Sequence, residues 1–167
     1  MRKVCFWAEN RIYDFGTIFV SYKYVLKFNG GVMKLRNKTS KWQLSLLNKA
    51  LPEAESFIIN KYKVPKGIFE SLTLQVSNTC RFPKITWDDF NVRIDAKRTA
   101  KVILYRKKSL GKYKSNFSVD GVTAYASQLV HELTHFVIEV QGRKQGEVET
   151  TKNEIDYLES KGYKVKL

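Results

Sequence analysis

Histidine is almost missing from this chain of 167 residues: His131 and His135 are the only two. Cysteine is equally scarce. Cys5 and Cys80 lie far apart and form no CxxC pair, which is too little for a disulfide framework and suits two free thiols in a reducing compartment. No apolar run reaches the roughly 18–20 residues of a membrane helix, so a membrane span and a membrane partner are not expected. The opening MRKVCFWAENRIYDFG has too short an apolar run for an export signal, because Glu9, Arg11 and Asp14 interrupt it. Internal repeats and low-complexity segments are absent. Acidic residues are short as well: 16 against 30 Lys and Arg, for a net charge of +14. Small size, excess lysine and no export signal suit an intracellular protein, cytoplasmic or virus-encoded.

An excess of positive charge favours acidic partners such as nucleic acid or an acidic protein. Lysine outnumbers arginine, however, and arginine is the better mark of specific phosphate recognition. A solvated, lysine-rich surface accounts for the same charge. Apolar residues make up 43% of the chain, enough for one compact domain with a real core.

Strand signals dominate residues 4–35. TIFVSYKYVLKF is β-branched and aromatic, Gly30-Gly31 marks a turn, and GVMKL reads as the returning strand. Ser40 and Gln43 form a capping box that opens a helix over about 41–61, with a restart at Pro52 allowed. LTLQVS (72–77), ITWDDFNVRI (85–94) and KVILYRKK (101–108) read as strands, and LGKYKSNFSVDG as a long basic connection. Asp120 is the expected N-cap of a helix over about 121–141, with Gly142 as its left-handed stop. EVETTKNEIDYLES forms a last helix before Gly162. The order predicts an α+β domain, with a small mixed or antiparallel sheet packed against helices. A β-rich segment (1–40) and the remainder (41–167) would make one compact unit.

The chemistry lies in LVHELTHFVIEVQG. Residues four apart on a helix share a face, so His131 and His135 project together and can hold one Zn²⁺. Glu132 is rotated by roughly 100° and flanks such an ion, placed to take a proton from water. Leu129, Leu133, Phe136, Val137 and Val140 form an apolar stripe on the opposite side. Shuffling this composition would produce the pattern about once in a thousand trials. The competing reading is a core helix whose two histidines are satisfied separately.

His131-Glu132-Leu133-Thr134-His135 is an HExxH sequence, and here the chain resembles the zincin metallopeptidases. The likeness covers about residues 125–160. A catalytic zinc takes three protein ligands and an open position. With no third histidine, the HExxHxxGxxH branch is excluded. The gluzincin branch takes its third ligand from a glutamate on a second helix, and this chain supplies Glu147, Glu149 and Glu154 there. The resemblance favours Glu149, because Asn153 follows at the distance where gluzincins place a residue supporting the metal site. The ExxAN pattern of ImmA-like peptidases is similar, with Lys152 here in place of the alanine. Val148, Ile155 and Leu158 would face the core, with Glu149 and Asn153 turned away from it; Glu154 and Glu147 remain the alternative third ligands. The resemblance implies a zinc metalloprotease with Glu132 as general base, one zinc per chain, and protein or peptide substrate. It also implies an edge strand that binds extended substrate, with AKVILYRKKS as the strand expected there.

Two other classes stay open. One is a zinc hydrolase acting on a different amide. The other is a nucleic-acid-binding module built on VSYKYVLKF, which interleaves aromatics with lysines, and on the basic stretch RKKSLGKYK. The two can combine in a zincin acting on DNA-bound protein, as SprT-like peptidases do, although those usually carry a third histidine.

Overall fold

The computed structural model describes residues 24–28, 31–36, 40–78, 83–87, 90–105 and 114–165. The strands expected within residues 4–23 and most of the basic stretch at 106–114 lie outside these. Among the described residues no helix is long and apolar enough to cross a membrane.

The architecture is mixed α+β. Strands β1 (Tyr24–Phe28) and β2 (Gly31–Arg36) form an antiparallel hairpin in which Phe28 faces Gly31. Helix α1 (Lys41–Tyr62) follows, with both halves of the Ser40–Gln43 capping box formed. It passes through Pro52 without restarting. A short 3-10 turn (Lys66–Phe69) leads to β3 (Thr73–Ser77), which lies parallel to β2.

The stretch expected as one strand over 85–94 is two. β4 (Lys84–Thr86) and β5 (Asn91–Asp95) run antiparallel, and β5 is parallel to β3. The chain reverses before Phe90, whose φ of 45° is the left-handed region. No glycine marks the reversal; its trace in the sequence is the Asp88-Asp89 pair, a weaker turn signal. The five strands stand in the order β1-β2-β3-β5-β4, with β4 on the edge. β6 (Lys101–Tyr105) and β7 (Lys114–Ser118) form a separate antiparallel pair. The expected long basic connection therefore contains a strand, and the strand expected at the sheet edge belongs instead to this second pair.

Helix α2 (Gly121–Val140) is the centre of the molecule. It packs against α1 through Leu47, Ala50, Leu51, Ala54 and Ile58 of that helix, and against Val92 and Ile94 of β5. Leu129, Leu133, Phe136 and Val137 are buried as expected, whereas Val140 is exposed at the helix end. Burial reaches the polar residues too: Ser127, Gln128, Glu132 and Thr134 are all buried. Helix α3 (Glu147–Ser160) returns along α2.

Asp120 anchors the start of α2. Its carboxylate accepts from the Thr123 backbone N–H at 2.9 Å and from the Thr123 hydroxyl at 2.6 Å. Losing such a cap costs about 0.5–2 kcal/mol. Asp120→Ala should lower the thermal midpoint accordingly, and Asp120→Asn should lower it less, as read by circular dichroism.

Candidate metal centre

Helix α2 ends in a left-handed reversal at Gly142, with φ 64°. The Gly142 N–H donates to Glu139 O at 2.8 Å and the Arg143 N–H to Ile138 O at 3.0 Å, the paired bonds of a Schellman stop. Four residues later α3 begins at Glu147, so the two helices lie antiparallel. Ser127, His131 and His135 recur every four residues on α2, and Glu147 and Glu154 lie seven apart on α3. Seven residues are nearly two full turns, so each set shares one face, and the two faces meet.

The meeting is specific at each histidine nitrogen. His131 Nδ1 lies 3.2 Å from Glu154 Oε2, and the other Glu154 oxygen accepts from the Ser127 hydroxyl at 2.5 Å. His135 Nδ1 lies 2.8 Å from Gln145 Oε1. The Gln145 amide nitrogen donates to His135 O at 2.9 Å and to Glu139 Oε2 at 3.0 Å, which fixes its oxygen as the end facing the ring. Both Nδ1 partners are acceptors, so each Nδ1 carries a proton, and each Nε2 is the nitrogen that can offer a lone pair to a metal once its own proton is displaced.

The two Nε2 atoms face one carboxylate. His131 Nε2 is 3.1 Å from Glu147 Oε2, and His135 Nε2 is 3.5 Å from Glu147 Oε1. One donor atom from each of His131, His135 and Glu147 lies within 4.8 Å of the others. A tetrahedral zinc with bonds of about 2.0–2.1 Å separates its ligand atoms by about 3.3 Å. The spacing and the donor set both fit that ion, with one position left open.

Glu149, the ligand favoured on resemblance, is held elsewhere. Its oxygens accept from Arg143 at 2.5 and 3.1 Å and from the Tyr62 hydroxyl at 2.6 Å. Asn153 stands with it: its amide is 2.6 Å from the Tyr62 oxygen and 3.1 Å from Thr134 Oγ1. The reason is rotational. Val148, expected in the core, is 56% exposed, and the buried side of α3 is Thr150, Asn153, Glu154, Tyr157 and Leu158. That side is polar at its first turns because it faces the histidines. Gln145 was not anticipated, and nothing in RKQG singles it out. Ser127 was legible, since it continues the four-residue spacing of the histidines.

Charge at the site is strongly coupled. Burial alone would lower the His131 pKa, but its bonds to Glu147 and Glu154 outweigh that and push it up to about 10. His135 is raised in the same way, against burial, by Glu147 and Gln145. The two histidines hold the Glu147 carboxyl well below the usual carboxylate range. Glu132 moves oppositely: only 2% exposed, it is pushed up to about 7 by burial, with the histidine charges opposing. A base poised near 7 suits proton transfer at neutral pH.

A scan against protein-family models, a search of curated proteins and a search of solved structures each give no match.

Glu147→Ala should weaken zinc binding by more than the roughly 10–100-fold typical of losing a partner behind a ligand. Glu154→Ala should fall within that range, and Glu149→Ala should leave affinity nearly unchanged; competition with a chromophoric chelator reads all three. Because His131 holds a proton up to about pH 10, zinc at pH 7 must displace it. Uptake should release close to one proton, measured by calorimetry in buffers of different ionisation enthalpy, and affinity should tighten as pH rises from 7 toward 9.

Proposed function

We propose that this chain is a zinc-dependent metallopeptidase of zincin type, with His131, His135 and Glu147 holding the ion and Glu132 acting as general base. One observation carries the reading: both Nε2 atoms converge on a single carboxylate while both Nδ1 atoms are held from behind. Two histidines satisfied separately in a core would not leave their second nitrogens facing one glutamate. A zinc ion bound there would supply Lewis acidity toward water and toward a substrate carbonyl.

The protein's own part in the chemistry follows from position. Glu132 extends from the same helix as both histidines, and burial keeps its affinity for a proton high. It takes a proton as water attacks the carbonyl and passes it to the departing nitrogen. Glu154 and Gln145 hold the imidazoles in orientation throughout. β4 supports a peptide as substrate: it is one of the two outer strands of the five-stranded sheet, and it packs near α2. An extended peptide can add to such an edge through main-chain hydrogen bonds. The net charge of +14 favours substrates that are acidic or bound to nucleic acid, and the separated cysteines favour an intracellular setting.

The test pairs metal analysis with turnover on unfolded casein. Wild type should carry about one zinc per chain. Glu132→Gln should keep that zinc and lose about 10²–10⁴-fold in hydrolysis. A wild type that stays zinc-free after reconstitution would sink the proposal, and full activity in Glu132→Gln would remove Glu132 from its role.

A further inference from the structure

The charge of the five-stranded sheet is sorted by face. Its strands hold six charged residues: Lys27, Lys34, Arg36, Lys84, Arg93 and Asp95. Cross-strand partners share a face, and the registers place all six positions on one side. Lys34 stands opposite Thr73 and Arg36 opposite Gln75; Gln75 pairs with Arg93, Arg93 with Lys84, and Ser77 with Asp95. Lys27 pairs with Val32, two residues from Lys34 and so on the same side. The alternate positions Leu74, Val76, Val92 and Ile94 are buried in the core that includes α2. The charged face is therefore the one turned away from α2.

Five of the six charges are positive, and the single acid is already engaged: Asp95 Oδ2 lies 3.4 Å from Arg98 Nε. Arg36, Gln75, Arg93 and Lys84 take register positions in one row across four strands, about 14 Å long at roughly 4.8 Å per strand. Lys84 is exposed and Arg93 half-buried. Among the described residues neither meets a carboxylate, and Arg93 Nε is sealed from water without a partner. The fold thus holds a guanidinium partly desolvated and with no counter-charge, which is unfavourable until an anion supplies one.

The rest of the face narrows the partner. On β3, β5 and β4 it carries Thr73, Gln75, Ser77, Asn91 and Thr86 besides the charges. No position there is apolar or aromatic. A protein partner would find no apolar centre to bury, and an unstacked base would find no ring to lie on. Lys and Arg, with Ser, Thr, Asn and Gln, are the side chains that contact phosphate oxygens. Over the length of the row a duplex presents about eight phosphates.

We propose that this face of the sheet is a docking surface for the phosphate backbone of duplex nucleic acid, with Arg93 and Lys84 at its centre and without reading of base sequence. It goes beyond the metallopeptidase reading and does not rest on it, because the histidines stand on α2, on the other side of the sheet.

The experiment measures anisotropy of two labelled DNA duplexes, equal in length and unrelated in sequence, titrated with full-length chain between about 50 and 200 mM salt. Wild type should bind both alike, with a slope of log affinity against log salt of about −2 or steeper. Lys84→Glu should make that slope shallower by about one, and Lys84→Glu with Arg93→Gln by about two, equally for both duplexes. Circular dichroism checks that each variant folds as wild type does. Lys49→Glu, at an exposed position on α1, changes the net charge by the same amount as Lys84→Glu and should leave the slope unchanged. An equal loss in Lys49→Glu would show that net charge alone attracts the DNA, and would overturn the surface. So would binding to one duplex only, tighter binding to polyglutamate than to DNA at equal salt, or no binding at the lowest salt. None of these results bears on the zinc content of the chain, so the metal site is judged separately.

Discussion

A metal-binding imidazole almost always has its other nitrogen held by a hydrogen bond, and both Nδ1 atoms of this pair are held in that way, from outside α2. Glu154 on α3 holds His131, and Gln145 in the connecting turn holds His135. These two bonds orient the rings and leave Nε2 as the nitrogen turned toward Glu147. They also seat α3 at a fixed height along α2. Glu147 stands opposite both Nε2 atoms because the same helix that holds His131 begins there. The convergence of both Nε2 atoms on Glu147 and the packing of the helical hairpin are one arrangement.

The centre of α2 meets two demands at once. It is the most enclosed helix of the described molecule, yet Ser127, Gln128, Glu132 and Thr134 are buried along it. Each has a reason to be polar. Ser127 backs Glu154, Gln128 reaches the β5 main chain, and Thr134 meets Asn153 while donating to Val130 O at 2.7 Å. Buried groups paired in this way avoid the cost of unmet desolvation. Glu132 is different in kind. Its burial raises its pKa toward neutrality, a shift that stabilises the protonated form.

Much of this was legible before any coordinates. Capping at Ser40 and Asp120, the glycine stops at 142 and 162, and the pairing of β1 with β2 all follow from local chemistry that acts within a few residues. The histidine pair was plain because helical spacing is a local rule. What could not be read was rotational and non-local. The orientation of α3 depends on what it faces, and a valine at 148 looked like core when the true inner side was carrying glutamate, asparagine and threonine. Asn153 was read as supporting the metal site; its amide meets Tyr62, ninety-one residues earlier, and Thr134. The β4–β5 reversal was missed because Asp88-Asp89 sits inside a β-branched and aromatic stretch, and Phe90 takes a conformation normally left to glycine or asparagine.

The second network, of Arg143, Glu149, Tyr62, Asn153 and Thr134, has a mechanical meaning. Helix α3 is gripped on two sides by polar contacts of fixed direction: Glu147 and Glu154 meet the histidines, while Glu149 and Asn153 meet α1 through Tyr62. Apolar packing tolerates small rotations, since one methyl group can replace another. Hydrogen bonds on two faces do not, because a turn that relaxes one set breaks the other. The helix behaves like a shaft keyed at two angles, and its phase is set by α1 as much as by the residues that meet the histidines. The end of α1 thereby governs where Glu147 points, although no part of α1 approaches the histidines through any of these bonds.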